Sequence, residues 1–206
     1  MFIEPNFGSK HSSKKNKIGW IEVVCGSMFS GKTEELIRRL NRAKIANLRV
    51  EIFKPAKDTR YHESNVVSHD RKEIRSTPVQ FANDILLLAS DCDLVGIDEA
   101  QFFDNEIVDV AIKLANNGKR VIVAGLDMDY MSRPFEPMNN LMAVAEFVTK
   151  THAICMNCGS IASFTYRFND SNEQVFLGEK DIYEARCRRC YLEGMAAKKK
   201  NKKANT

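Results

Sequence analysis

The sequence predicts an α/β protein: a mostly parallel sheet flanked by helices, followed by a small cysteine-rich lobe. Three observations carry that expectation. Short apolar runs alternate with segments of helical periodicity, and a Gly/Ser-rich loop joins the first run to the first such segment. Two C-x-x-C pairs then stand in the last quarter of the chain.

Residues 1–17 contain Gly8, Ser9, Ser12 and Ser13 among four lysines, and read as a disordered tail. Ile18 to Val24 is an apolar strand-like run. Leu36, Ile37, Leu40, Ala43 and Ile45 then recur at helical spacing, with Arg38, Arg39 and Arg42 on other faces, so a helix is expected from about Lys32 to Ala46. Leu48 to Phe53 forms a short strand ending at Lys54-Pro55, and the charged stretch Asp58 to Arg75, without periodicity, is a long surface loop. Thr77-Pro78 opens a segment whose Phe81, Ile85, Leu86 and Leu88 suggest a helix across Gln80 to Ala89. Leu94 to Ile97 is a buried strand, Asn105 to Asn116 a helix stopped by Asn117-Gly118, and Arg120 to Ala124 another buried strand. From about Thr151 the texture changes to cysteines, turns and short alternating segments. The expected divisions are an α/β domain over 18–150, a cysteine lobe over 151–193, and a second disordered, Lys-rich tail over 194–206.

At 206 residues and 44% hydrophobic, the chain can bury one substantial core with a small appended module. No apolar run approaches the roughly 20 residues of a membrane span, and the Lys-rich start lacks a secretory signal, so a cytoplasmic protein is expected. Of the net charge of +4, residues 1–17 hold +3 and residues 196–206 hold +5, which leaves the body at about −4. An acidic body argues against nucleic-acid binding, which draws its affinity from a basic folded surface. The lysine tails read as solvated segments that could touch an acidic partner.

Gly26-Ser27-Met28-Phe29-Ser30-Gly31-Lys32-Thr33 fits the G-x-x-x-x-G-K-T pattern of a phosphate-binding P-loop, with the strand and helix it needs on either side. Its glycines let successive N–H groups face one anion, Lys32 supplies charge to the β and γ phosphates of a nucleoside triphosphate, and the Thr33 hydroxyl can ligate Mg²⁺. Asp98-Glu99, at the end of a buried strand, is the acidic pair such a loop requires opposite it. Asp98 is assigned to the metal side and Glu99 to general base, a division the residues alone leave open. Asp58 and Arg60 are weaker candidates for the metal's outer shell and for phosphate; a solvated charged turn explains them equally well.

Cys155-Met156-Asn157-Cys158 and Cys187-Arg188-Arg189-Cys190 supply four thiolates, a closed tetrahedral set suited to structural Zn²⁺. Disulfides are disfavoured in a cytoplasmic chain. Cys25 and Cys92 lie in or beside apolar segments as inert core thiols. The spacer Gly159 to Arg186 carries Phe164, Tyr166, Phe168, Phe176 and Tyr183. These aromatics could fold over a ligand, form a small core or meet nucleic-acid bases.

Taken in order, these pieces resemble the type II, zinc-containing thymidine kinases. The resemblance covers about residues 18 to 192 and includes Lys57-Asp58-Thr59-Arg60-Tyr61, His69-Asp70-Arg71, Ile97 through Phe103, Gly125-Leu126-Asp127-Met128-Asp129-Tyr130 and Pro134-Phe135. It implies a P-loop NTPase-like sheet and a zinc-ribbon-like lobe carrying a lasso loop. It also implies transfer of the γ-phosphate of ATP to the 5′-hydroxyl of thymidine. Glu99 would be the base, with Lys32, Thr33, Asp58, Asp98 and Arg60 serving phosphate and Mg²⁺. Met28, Phe102, Leu126, Tyr130 and Arg167 match pocket-lining positions, and Phe176 and Tyr183 flank the lasso's contact with the thymine. The family further implies a homotetramer and feedback inhibition by dTTP, and the pocket admits deoxyuridine as a weaker substrate. The chain departs from the family's usual Phe at Tyr130 and from its Gly-Gly at Gly178-Glu179. Nucleic-acid-stimulated ATPase activity and a nucleotide-retaining zinc interaction module are the competing classes; turnover on a free nucleoside separates both from a kinase.

Overall fold

The computed structural model describes residues 18–56, 65–67, 73–169 and 182–204. The first half contains β1 (Trp20–Gly26), α1 (Lys32–Ile45), β2 (Val50–Pro55), β3 (Asn65–Val67), β4 (Glu73–Arg75), β5 (Thr77–Val79), α2 (Asp84–Leu88) and β6 (Leu94–Ile97). A 3-10 turn at Ala100–Phe102 leads to α3 (Glu106–Asn116), β7 (Arg120–Leu126), α4 (Glu136–Val144) and β8 (Phe147–Thr151). The C-terminal lobe comprises β9 (Ala153–Ile154), β10 (Ile161–Ala162), β11 (Phe164–Arg167), β12 (Tyr183–Arg186) and α5 (Arg188–Ala204).

Six strands form one parallel sheet in the order β5-β2-β6-β7-β1-β8. Its central strands are covered on both faces, which is why they appear in sequence as continuous apolar runs. Alternate residues divide between two cores. Val24, Ile52, Leu94, Ile122 and Ala124 meet Leu36, Ile37, Leu40 and Ala43 of α1. Val23, Val95, Val121 and Val123 face the side covered by Ile107, Val110 and Leu114 of α3 and Met138 and Leu141 of α4. The carboxyl ends of β1, β6 and β7 therefore open at one edge, where parallel α/β sheets place their ligands.

Several elements differ from expectation. Thr77-Pro78 lies in a strand, and β5 tolerates Pro78 because it is the sheet edge, where a missing N–H breaks no inner ladder. The following helix shrinks to five residues: only Ile85 is buried, while Phe81, Leu87 and Leu88 face outward. The expected loop between Asp58 and Arg75 contains the antiparallel β3–β4 pair. Two elements, α4 and β8, had not been recognised; Pro137 sits in the first turn of α4, where its missing N–H costs nothing, and β8 is a half-exposed edge strand without an apolar run.

The expected disordered tail from residue 194 is corrected to helix as far as Ala204. Ala and Lys are strong helix formers, and the helix is tied down by Lys198, whose ammonium donates to the Arg167 and Asn169 carbonyls at 2.5 and 3.1 Å. Tyr191 of the same helix stacks on Phe164 with ring centroids 4.9 Å apart.

Arg39 is not on an outer face. It is fully buried, and its guanidinium donates to Glu22 of β1 at 2.8 Å, Glu35 at 2.8 Å and Thr149 at 3.0 Å. Arg120 donates to the same Glu22 at 2.5 Å, and the Trp20 indole N–H does so at 2.7 Å. The buried Glu22 carboxylate is thus shared by two buried guanidiniums, with Glu35 as a second partner of Arg39. Glu22→Gln keeps the shape but removes the charge both guanidiniums share, and is expected to lower unfolding free energy in urea by about 3–5 kcal/mol. No helix among the described residues is long and apolar enough to cross a membrane.

Candidate active site

The loop after β1 is shaped by its backbone. Gly26 has φ +152°, and a Cβ there would stand 2.4 Å from the Thr151 carbonyl oxygen of the neighbouring strand, so only glycine fits. The loop is closed by its own side chains. Ser30 Oγ donates to the Ser27 carbonyl at 2.8 Å and lies 2.9 Å from Thr151 Oγ1, while the Lys32 ammonium curls back onto the Ser27 carbonyl at 2.8 Å. No side chain caps the N-terminus of α1, so its first N–H groups and dipole are directed at whatever sits over the loop.

Across β7 from the loop, β6 ends at Ile97 and is followed directly by Asp98, which is buried. The Thr33 hydroxyl donates to Asp98 Oδ2 at 3.3 Å, and the Glu99 N–H donates to Asp98 Oδ1 at 2.9 Å. Burial, and then the Glu99 carboxylate beside it, push the Asp98 carboxyl up to about 7. Desolvation lowers Lys32, opposed by Glu99 and Asp98. Because Asp98 is raised in the folded state, the folded protein binds a proton that the unfolded chain has released. The contribution of Asp98 to stability is therefore fully present below about 4 and is lost as pH rises through about 7. In the metal-free protein, Asp98→Asn is expected to flatten that decline and to exceed wild type at pH 8 by on the order of 2 kcal/mol, read from urea midpoints across pH.

Glu99 adopts φ +50°, a left-handed conformation unusual for a residue with a side chain. The Gln101 side-chain amide donates to its Oε2 and accepts from the Leu126 N–H at 2.9 Å.

The C-terminal lobe docks on the P-loop. The Met28 N–H donates to Thr165 Oγ1 of β11 at 3.1 Å, and Phe29 packs against the small core around Cys155 and Cys190. Thr165 had no sequence signal, because its partner lies 137 residues away. Arg167, buried on the same strand, stacks its guanidinium 3.4 Å from the Tyr130 ring centroid. Tyr183 opposes Arg167 in the β11–β12 register, and the Tyr191 hydroxyl donates to the Tyr130 carbonyl at 2.8 Å. One face of the Tyr130 ring is therefore engaged by a cation. Leu126 and the half-buried Phe102 flank the Gln101 bridge. The structure thus links Met28 to β11, joins Arg167 to the Tyr130 ring and, by strand register, to Tyr183, and links Leu126 to the turn bearing Phe102. Asp58, Arg60 and Phe176 lie outside the described residues.

The four sulfur atoms of Cys155, Cys158, Cys187 and Cys190 lie within 4.8 Å of one another, and those of Cys158 and Cys187 are 3.6 Å apart. None is in a disulfide. A tetrahedron with metal–sulfur bonds of about 2.3 Å has edges of about 3.8 Å, so the cluster can hold a structural metal ion, and its all-thiol donor set fits zinc. Hydrogen bonds from Ser160 pull Cys158 down to about 6, whereas burial, followed by the neighbouring cysteines, pushes Cys190 up to about 12. Burial and then Asp127 push Cys25 up to about 11, in keeping with an unreactive thiol.

A glycine-rich loop on a parallel β–α crossover, faced by an acidic strand end, defines a P-loop nucleotide-binding α/β protein. Comparison with known proteins then names the family within that class. A family model described as thymidine kinase matches residues 19–191. The thymidine kinase of Rhodothermus sp. (strain ITI 518) is 65% identical over 174 residues, covering 84% of this chain and 82% of its own. That of Bacteroides thetaiotaomicron is 59% identical over 186 residues, covering 90% and 94%, and that of Bdellovibrio bacteriovorus 57% over 171 residues, covering 82% and 84%. The chain belongs to the thymidine kinase family, and is an ATP-dependent nucleoside kinase.

Proposed function

We propose that this kinase transfers the γ-phosphate of ATP to the 5′-hydroxyl of thymidine, giving dTMP and ADP in nucleotide salvage. The observation that carries this reading is the convergence on one loop of the Asp98-Glu99 strand end, through Thr33, and of the four-cysteine lobe, through Met28. Donor and acceptor sites then share the P-loop as a border.

In this reading the Lys32 ammonium leaves the Ser27 carbonyl for the β and γ phosphates, while the N–H groups of Gly26 to Thr33 cradle them. Thr33 and Asp98 offer two hard oxygen donors 3.3 Å apart, close to the separation of about 3 Å between adjacent oxygens of octahedral Mg²⁺. The ion bound with ATP would neutralise charge on the phosphates. Glu99 accepts the 5′-hydroxyl proton as that oxygen bonds to the γ-phosphorus and the bond to ADP breaks. Asp58 and Arg60 supplement the metal and phosphate contacts. Met28, Phe102, Leu126, Tyr130, Arg167, Phe176 and Tyr183 enclose the nucleoside, and Zn²⁺ on the four cysteines holds the lobe in place.

The reading extends to three finer properties. A pocket that fits a 5-methyl group prefers thymidine to deoxyuridine by only about 10–200-fold in kcat/KM. Inhibition by dTTP and a homotetramer follow from family resemblance, and a cytoplasmic setting suits a chain whose six cysteines are all free of disulfides. Purified protein with its native metal content is expected to move labelled phosphate from ATP to thymidine. A well-folded preparation that fails to do so overturns the assignment.

A further inference from the structure

We propose that Gln101 is a positioning residue for phosphate transfer: its side-chain amide ties the Glu99 carboxylate to the end of β7 and holds it in one orientation. The proposal rests on the reading of Glu99 as the base. The orientation of the amide follows from its partners. The Leu126 N–H can only donate, so the atom 2.9 Å from it is the amide oxygen, and the NH₂ group must face Glu99 Oε2. Gln101 is itself buried, so both halves of its amide are used inside the protein.

Two further features are built around this bridge. A Cβ on Gly125 would lie 2.8 Å from Gln101 Oε1 and 2.6 Å from Met138 Sδ, so the bare glycine in β7 opens the slot that the amide crosses. Glu99 meanwhile sits on a left-handed corner, half-buried, at φ +50° and ψ +39°. A carboxylate on such a corner needs a fixed partner to keep a productive direction, and misplacement of a reacting group by about 1 Å can cost about 100-fold in rate. Gln101 therefore acts on the reaction through Glu99 and does not itself touch the substrate.

The test uses the metal-loaded enzyme and four variants: Gln101→Met, Gln101→Glu, Glu99→Gln and the double variant Glu99→Gln/Gln101→Met. Gln101→Glu, assayed at a pH high enough to ionise the new carboxyl, keeps an acceptor for the Leu126 N–H but replaces the donor facing Glu99 with another acceptor, so it separates the structural half of the bridge from the positioning half. Both single changes at 101 are expected to lower kcat by about 10- to 100-fold with KM for ATP within twofold. In the Glu99→Gln background the Met substitution is expected to change kcat by less than twofold, because the carboxylate it orients is gone. The proposal is overturned by near-wild-type kcat in folded Gln101→Glu, or by the full Gln101→Met loss reappearing in the Glu99→Gln background. Near-normal kcat in Glu99→Gln alone overturns the reading of Glu99 itself, and with it the proposal, by a separate measurement.

Discussion

Glu99→Gln is expected to lower kcat by about 10²- to 10⁴-fold, roughly 3–5 kcal/mol of transition-state stabilisation, while the affinity for ATP changes less than threefold. The substitution is isosteric, and the new amide oxygen can still accept the hydrogen bond from Gln101. The loop contacts of Lys32 and Ser30 and the Thr33–Asp98 contact do not involve the Glu99 side chain, so the phosphate cradle persists. What is lost is the Glu99 carboxylate itself, the group assigned to take the 5′-hydroxyl proton. Rapid-quench turnover with thymidine, set beside equilibrium binding of a fluorescent ATP analogue, measures both halves. A variant that turns over normally removes Glu99 as base; one that no longer binds ATP makes it a phosphate-site residue instead.

Loss of the metal that the four cysteines can hold is expected to have the larger structural effect. Cys187→Ser removes one of four sulfur donors, and its sulfur stands only 3.6 Å from that of Cys158. Small structural zinc sites contribute an apparent 10–16 kcal/mol at neutral pH, far more than a core of Ala153, Cys155, Ala162, Ala185 and Cys190 can replace. The lobe carries Thr165 and Arg167, so its unfolding removes the hydrogen bond to Met28 and the cation over Tyr130. Thymidine phosphorylation should fall below detection, while the six-stranded sheet, whose two cores are separate from the lobe, retains its far-UV signal. The check is metal content per chain, limited proteolysis within 151–193 and phosphoryl transfer. Full activity in a metal-free variant would show that the cluster does not support the site.

How much of this was legible depends on the range of the interactions involved. The P-loop could be read because its strand, glycines, lysine and helix are contiguous, and the conformation they need is dictated by neighbours along the chain. The cysteine pairs were legible because two thiols two residues apart already approach metal-ligand geometry. Element types fared worse where burial decided them. The apolar residues of 80–89 mimic a helix face, yet the bulky Phe81, Leu87 and Leu88 point to solvent, and Pro78 belongs to a strand because β5 is an edge.

The residue order carries the chemical groups: a phosphate loop, an acidic pair at the end of a strand, and four thiolates able to share one ion. Their arrangement comes from packing. Strand order set β6 one strand away from β1, bringing Thr33 to Asp98; lobe docking brought Thr165 to Met28 and Arg167 to Tyr130. Gln101 was visible as a letter of a motif, but its work depends on Leu126 and the bare Gly125 lying beside it. A side chain's type is local, whereas the direction of a hydrogen bond is fixed by whichever distant backbone the packed sheet places against it.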